Sequence, residues 1–372
     1  MSQPLQLPRW IDIGLLPLWN LAIALLVAGL VVMVIGHSPW QALTVLLNGA
    51  LGSVRGLGYS LYYATTFIFT GLAVAVAIHA GLFNIGGEGQ AYVGGLGVTA
   101  VALSLGAILP WWLNLPLAIA LSFAFGALWA FIPAYLQAKR GSHIVITTIM
   151  FNFIASALLV YLLVGVLKAP GMAPETVRFP EGARLPSAQD VLAVIGIPFS
   201  RTPLNVSFLV ALLACWGVWL LMWRMRLGYE IRAFGHSEAA ARYAGISPLK
   251  ITMLTMLISG GLAGLMAVNS VMGEQERLIQ DNVLGAGFVG IAVALMGRSH
   301  PVGVLAAAIL FGALYQGGAE LEFETSVPRE MVVVIQALVI LFTGALDGMV
   351  RGPLEKSFLR FRTKPKPGVA AE

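Results

Sequence analysis

Gly81-Leu82-Phe83-Asn84-Ile85-Gly86-Gly87-Glu88-Gly89-Gln90 sets four glycines, one carboxylate and two amides between two long apolar segments. In lipid, backbone groups released from a helix must be satisfied by protein or by cavity water, at several kcal/mol per unmet group. An ionisable residue at such a break points to function, because burying its charge is expensive. The competing reading is a short aqueous loop whose glutamate caps the next helix. The surrounding chain decides between them.

Of the 372 residues, 58% are hydrophobic and only 10% are charged. Soluble domains carry about 25% charged residues, so the composition is that of a membrane-embedded chain. Strand-sized alternation is absent, which argues against a transmembrane barrel. Apolar segments near the roughly 20 residues needed to cross a bilayer occur at 17–35, 57–80, 89–109, 115–136, 144–167, 205–223 and 250–270. Shorter ones follow at 284–296, 302–316 and 330–346. The expectation is an all-α polytopic membrane protein of about ten transmembrane helices, two of them (284–296 and 302–316) short enough to be broken or re-entrant. The first apolar run is followed by no small-residue cleavage site and is read as a retained span. Residues 1–350 then form one transmembrane domain, with a basic tail at 351–372.

Lys and Arg in short loops set the orientation. Lys139 and Arg140, the group Arg224, Arg226, Arg232, Arg242 and Lys250, Arg298, and the tail (Arg351, Lys356, Arg360, Arg362, Lys364, Lys366) all belong on the cytoplasmic side. The proline-rich segment 168–204 lacks a basic excess and suits the outside, as do Glu320, Glu322 and Glu324. Ten spans with both termini cytoplasmic satisfy every placement. The net charge of +5 is then a topological signal and calls for no nucleic acid. The single cysteine, Cys215, permits no intramolecular disulfide and lies in an apolar run as a small hydrophobe.

In that topology spans one to five and six to ten run in opposite directions. Each half carries a Gly/Glu/Gln cluster after its second span, Gly86-Gly87-Glu88-Gly89-Gln90 and Gly273-Glu274-Gln275-Glu276, each followed by a glycine-rich helix. Inverted repeats with matched interruptions are a pattern of transporters.

The loop 224–250 holds an alanine-rich helical patch at 237–244. Ser237 stands at its N-cap, Gly245 at its stop, and Pro248 ends any continuation. A capped helix along the cytoplasmic surface suits docking of a soluble partner; an ordinary basic loop would explain the arginines but not the caps. Gly260 and Gly264 show the four-residue spacing that lets helices approach closely in lipid. Thr148, Asn152 and Ser156 share one face of span five, as helix-to-helix contacts or as a polar pathway. Gln336 and Thr343 give span ten a weaker version. His300 beside Pro301 carries no metal or relay role. No phosphate-binding loop, H-E-x-x-H, paired-cysteine spacing or nucleophile elbow occurs, so an intramembrane enzyme is disfavoured and no cofactor is called for.

Taken together these motifs resemble the permease subunits of bacterial ABC importers for simple sugars, nucleosides and branched-chain amino acids. The stretch 81–90 is most similar to the nucleoside-type permeases. Gly287-Phe288-Val289-Gly290-Ile291-Ala292-Val293-Ala294-Leu295 with Gly297-Arg298 extends the resemblance, as do Thr147-Thr148-Ile149-Met150 with Asn152, and Gly303 with Phe311-Gly312. It covers roughly residues 57–348.

The resemblance implies a multi-pass protein of the bacterial cytoplasmic (inner) membrane, paired with a second related permease. It also implies a separate cytoplasmic ATPase that carries the hydrolysis, and an external substrate-binding lipoprotein. Ser237, Glu238, Ala239, Ala240, Ala241, Arg242 and Gly245 then correspond to the coupling helix that docks in the ATPase. Glu238-Ala239-Ala240 is similar to the EAA motif, with Gly245 one residue beyond the usual spacing. Asn84, Asn152 and Phe288 are candidates to line the cargo path. The stretch 81–90 falls at the cytoplasmic end of span two. There Glu88 is expected to cap the helix starting at Gly89, and Gly86, Gly87, Glu88 and Gly89 to serve as gate or hinge. Two other readings stand: a permease for simple sugars or branched-chain amino acids, and a proton-coupled secondary transporter using Glu88 or Glu274 as relay.

Overall fold

The computed structural model describes residues 16–34 and 36–325, together with 333, 334, 337, 338 and 341. Apart from those isolated positions, the expected tenth span at 330–346, with Gln336 and Thr343, and the tail 351–372 lie outside the described residues. Among the described residues the regular structure is helical, with two isolated bridges, Glu175 to Ile279 and Ser187 to Asn205. The helices are α1 (Leu16–Val34), α2 (Pro39–Leu51), α3 (Val54–His79), α4 (Gly87–Leu105), α5 (Trp111–Arg140), α6 (Ile144–Gly165) and α7 (Ala188–Val194). They continue with α8 (Ser207–Arg224), α9 (Arg226–His236), α10 (Glu238–Tyr243), α11 (Pro248–Ala267), α12 (Ala286–Met296) and α13 (Pro301–Glu324). A π-helix, Val268–Gln275, continues α11.

Six of these are long and apolar enough to cross a bilayer: α3, α5, α6, α8, α11 with its π continuation, and α13. The 11 residues of α12 agree with the expected short segment. The segment at 302–316 does not: α13 runs for 24 residues and carries Glu320, Glu322 and Glu324 in its last turns instead of in a loop. Gly317, Gly318 and Glu320 dilute the apolar signal, yet Gly317 serves close packing. A Cβ there would stand 2.3 Å from the Leu46 carbonyl. Short α2 and α9 carry no membrane-length signal and were not expected. The cluster Gly273-Glu274-Gln275 lies within the π-helix; only Glu276, with φ of +52°, leaves it.

The chain divides into two compact units. In the smaller (residues up to Val45 and from Leu321), Ala28, Val32, Ala42 and Leu321 form a buried cluster. The larger, Leu46–Glu320, is organised by α3, α4, α5 and α11. Along α5 the buried positions Asn114, Ala118, Ser122, Gly126, Ala130 and Ala134 recur every fourth residue, a stripe of small and polar side chains. The stripe meets the small-residue run of α11. A Cβ on Gly126 would sit 2.3 Å from the Gly260 carbonyl oxygen, and one on Gly264 would sit 2.5 Å from that of Ser122. The Ser122 hydroxyl donates to the Gly264 carbonyl at 2.6 Å. Lipid tails give apolar helices no hydrophobic reason to associate, so backbone approach of this kind supplies the attraction. The packing role of Gly260 and Gly264 is therefore as expected, with α5 as the partner.

Gly126→Ala is expected to destabilise the protein by roughly 1–3 kcal/mol, because its methyl meets backbone that cannot yield. Gly217→Ala in α8, which faces open space, is expected to be neutral or to gain up to about 1 kcal/mol from helix propensity. Thermal unfolding of the two variants in detergent checks the contrast.

Candidate functional site

Helix α3 ends in a Schellman turn. Gly81 adopts φ of +70°, its N–H bonds the Ile78 carbonyl at 2.9 Å, and the Leu82 N–H reaches Ala77 at 3.1 Å. From there to Gly86 the backbone is non-helical, and buried amides replace its missing ladder. The Asn84 Oδ1 accepts from the Gly86 N–H at 2.9 Å, and Asn84 and Gln90 bond reciprocally at 2.9 and 3.1 Å. The Asn84 Nδ2 also donates to the Ser259 hydroxyl at 2.8 Å, which in turn donates to the Ala73 carbonyl at 2.6 Å. From α6, Asn152 donates to the Ile85 carbonyl and accepts from the Gly89 N–H, both at 2.9 Å. Asn152 is thus a cap lent to α4 by another helix, filling the acceptor role that a local N-cap side chain normally plays.

Helix α4 begins at Gly87, two residues earlier than expected, and Glu88 does not cap it. Its carboxylate reaches the start of α12 instead. The Gly285 N–H donates to Oε1 at 2.8 Å and the Gly287 N–H to Oε2 at 2.9 Å. Sequence position alone suggests a local cap; the tertiary fold brings the free N–H groups and positive dipole end of a distant helix to the same carboxylate. The two N-termini meet glycine to glycine. A Cβ on Gly287 would lie 2.3 Å from the Glu88 nitrogen, so no side chain fits there. A Cβ on Gly89 would press on Asn152 at 2.9 Å, and one on Gly86 on Gln90 at 2.7 Å.

Of the residues expected along a cargo path, Asn84 is 1% exposed, with both amide groups engaged, and Asn152 is 7% exposed and serves the break. Phe288 is 48% exposed on α12. Thr148 is buried and bonds its own helix through the Ile144 carbonyl, while Ser156 is only half-buried. None of the three candidates lines the cavities described below among the described residues. His300 packs against the Trp223 ring, 4.8 Å between centroids, with His79 on another side of that ring.

The loop 224–250 is mostly helical. Gly235 of α9 lies against the end of α3; a Cβ there would be 2.1 Å from the His79 carbonyl. Next comes α10, whose first turn the Ser237 hydroxyl caps by accepting from the Ala240 N–H at 3.3 Å. Gly245, at φ of +80°, closes a second Schellman turn through the bond from Ile246 to Ala241 at 2.9 Å. Ala241 is buried beneath the helix, and Tyr243 stands 98% exposed on it. Glu238 and Arg242 pair at 2.8 Å across one turn. A cavity of about 390 Å³ joins α10 to the break, lined by Gly81 and Leu82 on one side and Ser237, Glu238 and Arg242 on another.

Sequence reasoning missed Asn269. Its Nδ2 donates to the Tyr62 carbonyl at 3.1 Å and the Thr66 hydroxyl at 2.9 Å, and its Oδ1 accepts from Asn205 at 3.1 Å and Ser207 at 2.8 Å. It ties the π-helix to α3 and α8. A lone asparagine at the end of a small-residue span was the available signal. It also missed the clamp that the segment after Lys168 places on the turn following the π-helix. There Phe179 bonds the Glu276 carbonyl at 2.7 Å, Arg178 pairs with the Glu276 side chain, and Arg277 pairs with Glu175.

Glu88→Gln keeps one acceptor oxygen and turns an N–H donor toward an N–H. It is expected to cost roughly 1–3 kcal/mol in thermal stability of the purified protein. If stability and uptake are both unchanged, the contact between α4 and α12 has no functional weight.

The family model described as branched-chain amino acid transport system / permease component matches residues 56–344. A guanosine ABC transporter permease of Bacillus subtilis (strain 168) is 36% identical over 92% of this chain and 97% of its own length. A nucleoside ABC transporter permease of Lactococcus lactis subsp. cremoris is 34% identical over 88% and 90%. A glucose ABC transporter permease of Haloferax volcanii is 36% identical over 90% and 88%. With its apolar crossing helices, its glycine-lined break and this match over most of its length, the chain belongs to the branched-chain amino acid transport system permease family of ABC transporters.

Proposed function

We propose that this chain is one permease subunit of an ATP-driven nucleoside importer of the bacterial inner membrane. In this reading it crosses the membrane about ten times with both termini cytoplasmic. It pairs with a second permease, receives cargo from an external binding protein, and takes its power stroke from a separate ATPase. The observation that carries the reading is whole-length similarity to permeases named for guanosine and for nucleosides. The glucose permease of equal identity supports a simple-sugar cargo as the second reading.

Helix α10 is the element we assign to ATPase docking. Both its ends are capped, so it holds its shape at the surface, and it presents Ala239 and Tyr243 outward over the buried Ala241. Movement of α10 reaches the break through α9, whose Gly235 lies against the end of α3 at His79. Glu88 and the flanking Gly86, Gly87 and Gly89 then act as the hinge at which α4 and α12 part. Asn84 and Asn152 hold this hinge in our reading, and the cargo path is assigned elsewhere.

The complete transporter, reconstituted in vesicles with ATP and a binding protein, is expected to take up labelled guanosine. Unlabelled nucleosides should compete and glucose should not. Uptake that needs a proton gradient but no ATP would overturn the reading, and competition by glucose alone would favour the sugar cargo. Ala239→Arg with Tyr243→Ala is expected to lower the amount of ATPase that co-purifies by at least tenfold.

A further inference from the structure

Between α3, the π-helix and α13 lies a small cavity. One wall is aromatic. Tyr62 and Tyr63 meet edge to face at 5.3 Å between centroids, Tyr63 and Tyr315 lie 5.6 Å apart, and Tyr315 and Phe67 lie 5.0 Å apart. The rest of the lining includes the polar side chains Ser270, Glu274, Gln275 and Asn282. Asn282 is 2% exposed, and among the described residues neither its Oδ1 nor its Nδ2 meets a partner; the Ser270 hydroxyl and the Gln275 Oε1 are likewise unmatched there. Buried amides are almost always hydrogen-bonded, so one with both groups open calls for an explanation. Every other side-chain amide that holds the break is satisfied by contrast, which sets Asn282 apart.

We propose that this cavity is a cargo contact point, selective for a nucleoside. An asparagine offers a donor and an acceptor side by side, the complement of a purine edge. Aromatic side chains give a base a stacking surface whatever its sequence of substituents. Glu274 accepts a hydrogen bond from the Tyr62 hydroxyl and, with more than one acceptor position per oxygen, retains capacity for sugar hydroxyls. Leu284 and Glu274 are exposed at the mouth, so the site opens to one side of the larger unit. It also lies far from the docking helix: Tyr62 and His79 are about 25 Å apart along α3 at about 1.5 Å per residue. The loop clamp on Glu276 and Arg277 stands beside it.

As it stands the cavity offers about 40 Å³, room for a few waters and not for a nucleoside. The contact therefore forms only as the path opens. The means are local: the π-helix 268–275 borders the cavity, and Glu276, Leu284 and Gly285 take left-handed turns on either side of Asn282. Pre-opened polar groups that meet cargo only in passing suit a transporter, which must release what it binds.

This inference rests on the nucleoside reading, and one experiment separates the two. The complete transporter in ATP-loaded vesicles is tested for uptake of labelled guanosine with Asn282→Leu, Asn282→Asp, Tyr315→Leu and Tyr315→Phe. Asn282→Leu and Tyr315→Leu are expected to lower uptake at least tenfold at equal complex yield. Tyr315→Phe, which keeps the ring, should retain most uptake, and Asn282→Asp should change the preference among purine and pyrimidine nucleosides. Wild-type vesicles that import glucose but no nucleoside would end the nucleoside reading and this site with it. Wild-type guanosine uptake left unchanged by both leucine variants would end the site alone. Should the leucine variants fail to assemble, photolabelling of the wild-type complex with 8-azidoguanosine decides: label within residues 54–79, 268–296 or 301–324 supports the site, and label only elsewhere overturns it.

Discussion

A helix that starts inside a membrane protein leaves N–H groups with no carbonyl to meet, and lipid offers no substitute. Two helices of this permease, α4 and α12, start in that way, and they start against each other. The solution is one carboxylate and one carboxamide borrowed from elsewhere. Glu88 of α4 serves α12, and Asn152 of α6 serves α4. The glycines at 86, 87, 89 and 287 follow from this arrangement, because N–H groups so close to another backbone leave no volume for a side chain. So does the pairing of Asn84 with Gln90, which satisfies the strand of chain between α3 and α4.

Around that junction the protein is rigid in one direction and open in another. The α5–α11 seam is backbone against backbone over several turns, with Ser122 adding a hydrogen bond. The α9–α10 pair rests on the end of α3 through Gly235 and borders a cavity that reaches Gly81 and Leu82. The non-helical segment thus lies nearer to α10 than the seam does in the contacts that α9 and the cavity make. On the far side the π-helix is held by Asn269 to α3 and α8, and its following turn is held by ion pairs from the 168–204 segment.

What the sequence disclosed was what local chemistry controls. Ser237 and Gly245 announced both ends of α10, because caps act within one turn of the residues they serve. Gly260 and Gly264 announced a packing face, though not that α5 would meet it. Glu88 was recognised as a cap but assigned to the wrong helix, since its partners lie almost 200 positions away and nothing local marks them. Asn152 was read as a residue on a stripe and turned out to be a cap for the same reason. The length of α13 was hidden by Gly317, Gly318 and Glu320, which lower apolarity, while Gly317 serves the close approach to α2. Asn282, between two left-handed turns, has no periodic signal at all.

The glycine-to-glycine crossing of α4 and α12 has a consequence in entropy. Side chains that interlock lose rotamer freedom when they pack and must regain it when they part, and glycine has none to lose. Beside the dispersion of close backbone approach, the two bonds that Glu88 accepts add about 3–6 kcal/mol to this crossing, as hydrogen bonds to a charged group. That is several times thermal energy, supplied by one side chain and not by a packed core. The strength of this crossing therefore depends heavily on one side chain, the Glu88 carboxylate.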